Sequence, residues 1–93
     1  MEVLRHGDIV LREVRGLPRG RKQVLGTRFE QSGETGKLHV AENVEVVQVD
    51  WDKYLLTLQD GAVMTHPEHP LLELPPNKVF KVGRVRSIVP YVD

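Results

Sequence analysis

The sequence predicts an all-β fold, a small barrel or sandwich of about eight short, mostly antiparallel strands. Three observations carry this. No window keeps the i, i+3, i+4, i+7 apolar spacing of an amphipathic helix over about ten residues. β-Branched residues abound. Turn signals recur every eight to twelve residues or so, the rhythm of a small all-β domain.

The first predicted strand covers residues 8–14. Gly16-Leu17-Pro18-Arg19-Gly20 ends it, because proline and glycine interrupt a ladder. Residues 22–25 and 27–31 read as two short strands, and 32–36 as a turn. Strands 38–41 and 44–49 follow. The second leaves few positions for solvent, so it is central or at an interface. Asp50-Trp51-Asp52-Lys53 fits a four-residue loop into a strand over 54–58. Asp60-Gly61 is the strongest hairpin signal in the chain and predicts that 62–65 returns antiparallel to 54–58. Residues 71–74 form a strand stopped by Pro75-Pro76-Asn77, and 78–82 and 85–89 are the last two, with a bulge or bend at Gly83.

The 93 residues (1–93) make one domain whose small core would gain from oligomerisation or a bound metal. No cysteine is present, so neither disulfide nor thiolate chemistry is available. No apolar run approaches a membrane span, and the first residues lack an apolar signal core, so the expected setting is cytoplasmic, with no membrane partner. Formal net charge is zero, which argues against general affinity for nucleic acid. The distribution is uneven: six basic residues and one acid lie between Arg12 and Arg28. No phosphate loop or nucleophile elbow occurs, and neither Ser32 nor Ser87 has a triad-like context.

Chemistry is suggested by the histidines. His66 and His69 sit in Thr65-His66-Pro67-Glu68-His69-Pro70, and His39 follows the turn Ser32-Gly33-Glu34-Thr35-Gly36. Two imidazoles three residues apart and a distant third are a set from which a zinc or similar transition-metal site is built. Glu34 and Glu68 are the candidate bases or outer-sphere partners. His6 lies before the first predicted strand and is expected to face solvent.

The motifs resemble a family of short uncharacterised prokaryotic and phage all-β proteins. Those chains start on a Gly-Asp-Val-Leu-Leu strand, then carry a Thr-Gly-His-x-His turn, Thr-His-x-Glu-His and Leu-Pro-Pro-Gly. Here the counterparts are Gly7-Asp8-Ile9-Val10-Leu11, Thr35-Gly36-Lys37-Leu38-His39, Thr65-His66-Pro67-Glu68-His69 and Leu74-Pro75-Pro76-Asn77, in that order over nearly the full length. Lys37 stands where the family has its first turn histidine, so only His39 carries over from that pair. Asn77 replaces the glycine, and asparagine tolerates the same left-handed backbone. The resemblance implies the fold and the place of the site, not an activity. A fainter outline is similar to cupins, through Lys37-Leu38-His39 with Glu42 and the Pro75-Pro76-Asn77 turn.

Arg19-Gly20-Arg21-Lys22 is a compact basic loop, and Arg84 and Arg86 alternate on one strand face. The five aromatics, Phe29, Trp51, Tyr54, Phe80 and Tyr91, are not interleaved with these cations in sequence. The expected function is a homo-oligomeric binding or assembly module centred on His39, His66 and His69, holding metal or a small anionic ligand. Two alternatives are a metal-dependent hydrolase or cupin-like enzyme, and a nucleic-acid-binding accessory protein using Arg19, Arg21, Lys22, Arg84 and Arg86.

Overall fold

A computed structural model describes residues 1–85. The fold is all-β, with eight strands and no helix among the described residues, so no helix is long and apolar enough to cross a membrane. The strands are β1 (Val3–His6), β2 (Ile9–Val14), β3 (Lys22–Ser32), β4 (Leu38–Val49), β5 (Asp52–Thr57), β6 (Ala62–His66), β7 (His69–Leu74) and β8 (Val79–Arg84). They form one antiparallel sheet ordered β1-β2-β8-β5-β4-β6-β7, with β3 on the other edge of β4. The sheet curls into a nearly closed barrel. Its end strands, β1 and β7, approach closely enough for His6 Nε2 to lie 2.9 Å from the Pro70 carbonyl.

β4 is the spine. Expected as two strands, it runs unbroken from Leu38 to Val49 because Asn43, at φ 60°, turns the chain within it. Asparagine tolerates this left-handed conformation, and its Nδ2 donates to the Gly61 carbonyl. One edge of β4 therefore serves two partners. Val40 and Ala41 pair with β6, and Val44 to Val49 pair with β5.

That arrangement corrects the expected Asp60-Gly61 hairpin. β5 and β6 do not pair; the turn instead carries the chain along the edge of β4. Gly61, at φ 70°, donates to the Leu58 carbonyl in a tight turn that passes the chain on. The Asp50–Lys53 loop is shorter than expected, since Val49 and Asp52 are already paired across Asp50-Trp51. Residues 22–25 and 27–31 join into β3, whose register slips around Gly26. The bulge expected at Gly83 is absent: register is continuous from Ile9↔Arg84 to Val14↔Val79. β1 was not expected as a strand. The strand predicted over 85–89 lies, beyond Val85, outside the described residues, as does Arg86.

Alternation along the strands sends Ile9, Leu11, Phe29, Ala41, Val44, Val46, Leu55, Met64, Leu74 and Phe80 inward as one core. Val47, Val49 and Tyr54 point to the outer face, where Leu17 of the 15–21 loop covers them. The valine-rich half of β4 is thus buried on both faces, as its lack of solvent positions implies. Asn77 adopts φ 55° after Pro75-Pro76.

Candidate functional site

The inward-facing pattern that builds the core ends, at one mouth of the barrel, in histidine. His6 closes β1, His39 is the second residue of β4, His66 closes β6 and His69 opens β7. His66 and His69 are directly paired across the two-residue Pro67-Glu68 turn. Proline at the first turn position supplies the φ that such a turn needs. All four rings lie together, with centroid separations from 4.3 to 6.2 Å. His39 is fully buried and His6 is 3% exposed, whereas His69 is open to solvent.

The expected trio of His39, His66 and His69 is brought together, and His6 joins it. This corrects the expectation that His6 faces solvent. A signal for it exists: Leu4 and His6 are two apart on β1, and Leu4 packs on the core.

His6 and His39 are linked by a single chain of contacts. His6 Nε2 faces the Pro70 carbonyl at 2.9 Å, His6 Nδ1 faces His39 Nδ1 at 2.9 Å, and His39 Nε2 faces Asp8 Oδ1 at 3.2 Å. A carbonyl and a carboxylate can only accept, so each Nε2 carries a hydrogen. Both rings, if neutral, then present bare Nδ1 lone pairs to each other. Two hydrogens serve three contacts, and the middle contact is repulsive unless a cation enters it. Burial pushes the pKa of both rings below the ordinary imidazole value of 6.5, and the neighbouring rings push the same way. The Pro70 carbonyl and Asp8 pull only partly in the other direction. Burial and the neighbouring rings thus favour neutral, electron-rich imidazoles.

Asp8 is the anchor of this chain. Its side chain is only 9% exposed, its Oδ1 meets His39, and its Oδ2 lies 3.3 Å from Arg84 Nε without a hydrogen bond. Two glycines leave room for the rings. A β-carbon on Gly7 would sit 2.5 Å from His69 Nε2, and one on Gly33 would sit 2.9 Å from His39 Nε2 and 3.0 Å from Asp8 Oδ1.

His66 differs from its neighbours. Its Nδ1 accepts the Glu68 amide at 3.0 Å, so that lone pair is already used. Glu68 itself is committed outside the cluster. It accepts from Thr35 Oγ1 at 2.9 Å and pairs with Lys37 at 3.3 Å, and the two together hold its carboxyl below the usual range. This clasp ties the 33–37 turn to the Pro67-Glu68 turn, and it neutralises Lys37. Glu34 lies with His69, Asp8 and Arg5 along an open cleft of about 590 Å³ at the mouth. Among the described residues, no group of three or more His, Asp and Glu side chains has its ligand atoms gathered as for a metal ion.

The basic residues do not form one stripe. Arg84 belongs to the histidine mouth, where it meets Asp8 and donates to the Ser32 carbonyl. Arg19, Arg21 and Lys22 lie at the far end of β3, eleven residues long, about 30 Å away along an extended strand. Comparison with known proteins gave no match to a family model, a curated protein or a solved structure.

Proposed function

We propose that this protein is a small metal-binding module, with a transition-metal ion, zinc by the nature of its donors, seated at the histidine mouth. The observation that carries the reading is the pair of Nδ1 atoms, 2.9 Å apart, each with its Nε2 hydrogen already placed. Nitrogens bound at ~2.0–2.1 Å to a tetrahedral ion lie about 3.3 Å apart, so a slight parting of the rings admits one. The outer contacts, a backbone carbonyl on one ring and a carboxylate on the other, are those that orient metal-bound histidines. His69 supplies the nearest exposed imidazole. Water or a small anionic ligand entering by the adjacent cleft completes the shell. His66 then acts through packing, with its own lone pair held by Glu68.

In this reading the ion fastens β1 to β4 at the seam of the barrel, and the module binds rather than catalyses. Glu68 is a poor base while Thr35 and Lys37 hold it. A homo-oligomer in the cytoplasm fits a cysteine-free chain with a small core. Elemental analysis of tag-free protein purified without chelator tests the ion. About one zinc or related ion per chain is expected, lost in His6→Ala and His39→Ala. No metal after reconstitution would overturn the reading.

A further inference from the structure

We propose that the Asp50-Trp51 corner is a binding surface for single-stranded nucleic acid, separate from the histidine mouth and independent of the metal reading. Trp51 is 94% exposed, the most exposed of the large hydrophobic side chains. It sits on a two-residue turn, and it shares a cleft of about 510 Å³ with Arg21, Gln23, Gln48 and Asp50. Cross-strand pairing aligns Gln23 with Gln48 and Gln48 with Lys53, so one face of three strands carries two amides and a cation beside the indole. Arg15, Arg19 and Lys22 are exposed on the flank.

The charges here are available. Among the described residues, Arg15, Arg19, Arg21, Lys22 and Lys53 enter no ion pair. Two acids flank the indole, and both are engaged: Asp52 Oδ2 lies 3.6 Å from Lys81 Nζ, while Asp50 Oδ1 accepts the Arg21 amide and the Asp50 amide donates to the Arg21 carbonyl. That exchange also fixes the basic loop against the indole. Residues 15–29 contain no acid at all. Sequence order separates Trp51 from Arg19, Arg21 and Lys22 by some thirty residues, and the β3–β4 pairing removes that separation. An exposed indole beside side-chain amides and cations free of ion pairs matches what a base and its phosphates require. The ring stacks on the base face, and arginine and lysine take the backbone. A purely apolar partner would leave the cations unanswered, and a purely acidic one would leave the indole in water.

Trp51 is the only tryptophan, so its fluorescence reports the contact directly. Titration with short oligodeoxythymidylate and oligouridylate at low salt should quench it, and the two arms show whether the sugar matters. Affinity should fall roughly 15–50-fold between 50 and 200 mM salt, for about three or four cations at ~0.7 each in the log–log slope. Trp51→Ala, followed by anisotropy of a labelled oligonucleotide, should bind roughly 5–150-fold more weakly. Arg19→Glu with Arg21→Glu should cut that slope by about half or more. No quenching at low salt would overturn the proposal. So would unchanged affinity in Trp51→Ala, or heparin or polyglutamate binding and quenching as strongly, which would mark a surface for acidic chains alone.

Discussion

His6 Nδ1 lies 2.9 Å from His39 Nδ1 although both rings already have their Nε2 atoms against oxygen acceptors. The contact joins the first strand to the fourth across 33 residues of sequence. Its stability therefore depends on what occupies the space between two lone pairs, and the metal reading makes this measurable. Chelator-treated protein should gain about 2.7 kcal/mol when zinc is present at a hundredfold its Kd, or roughly 10–20 °C in melting temperature. His6→Ala and His39→Ala should melt at the same temperature with and without zinc. A wild-type melting temperature indifferent to zinc would count against the site.

Asp8 is expected to act on the ion through His39. Asp8→Asn keeps the shape but removes the charge, and it should weaken zinc binding about 10–100-fold. Gly33→Ala tests the same contact by crowding, since its β-carbon would fall 2.9 Å from His39 Nε2 and 3.0 Å from Asp8 Oδ1. Competition with a chromophoric chelator reads both variants. Affinity equal to wild type in both would remove Asp8 from the site.

Acid should destabilise the metal-free protein. His6 and His39 have pKa values lowered from 6.5, chiefly by burial, so the unfolded chain binds more protons than the folded one below that pH. The stability linked to them is fully present above about pH 6.5 and is lost as pH falls toward the lowered folded values. Urea midpoints of chelator-treated protein at pH 8, 7, 6 and 5 should be level at first and then decline. In His39→Gln the decline should be shallower. A midpoint that rises on acidification would contradict the neutral pair.

Much of the barrel is legible in the sequence, for local reasons. The strands over 38–41, 44–49 and 71–74 and the Pro75-Pro76 stop each depend on neighbours a few residues apart. What escapes depends on distant partners. Asp60-Gly61 carries a hairpin signal, but the strands on either side share an edge of β4 because Asn43 bends that strand. His66 and His69 stand out as a cluster, and His39 stands out beside a glycine-rich turn. His6 does not, because its segment is short and only the pairing Val3↔Arg12 to His6↔Ile9 makes it a strand. Asp8 takes its role from the same turn, whose Gly7 at φ 61° brings the chain back on itself. The basic residues divide between two ends of β3, a fact of geometry that their spacing does not contain.

Asn43 should prove costly to replace despite its distance from the histidines. It holds φ 60° within β4 and donates to the Gly61 carbonyl at 3.2 Å. Asn43→Ala loses the bond and keeps the strained backbone, for about 1–2 kcal/mol. Asn43→Gly loses the bond but relieves the strain, so it should unfold at higher urea than Asn43→Ala. The reverse order would mean that the bend is not fixed by the left-handed residue.

Thr57 offers the last test, at the opposite end of the barrel from the histidines. It is 5% exposed, and its hydroxyl donates to the Pro75 carbonyl at 2.6 Å while accepting the Lys78 amide at 2.9 Å. The hydroxyl thus fastens both sides of the Pro75-Pro76-Asn77 turn to the end of β5. Thr57→Val keeps the shape and the β-branch but strands a half-buried N–H and a carbonyl, each left without its partner. The expected cost is about 1–3 kcal/mol, or roughly 4–20 °C in melting temperature for a domain of this size. Zinc stoichiometry should be unchanged, because the turn does not touch the histidine mouth. Thr57→Ser, which retains the hydroxyl, should recover most of the loss. Equal destabilisation in Thr57→Ser and Thr57→Val would assign the effect to packing of the methyl group instead of to the two hydrogen bonds.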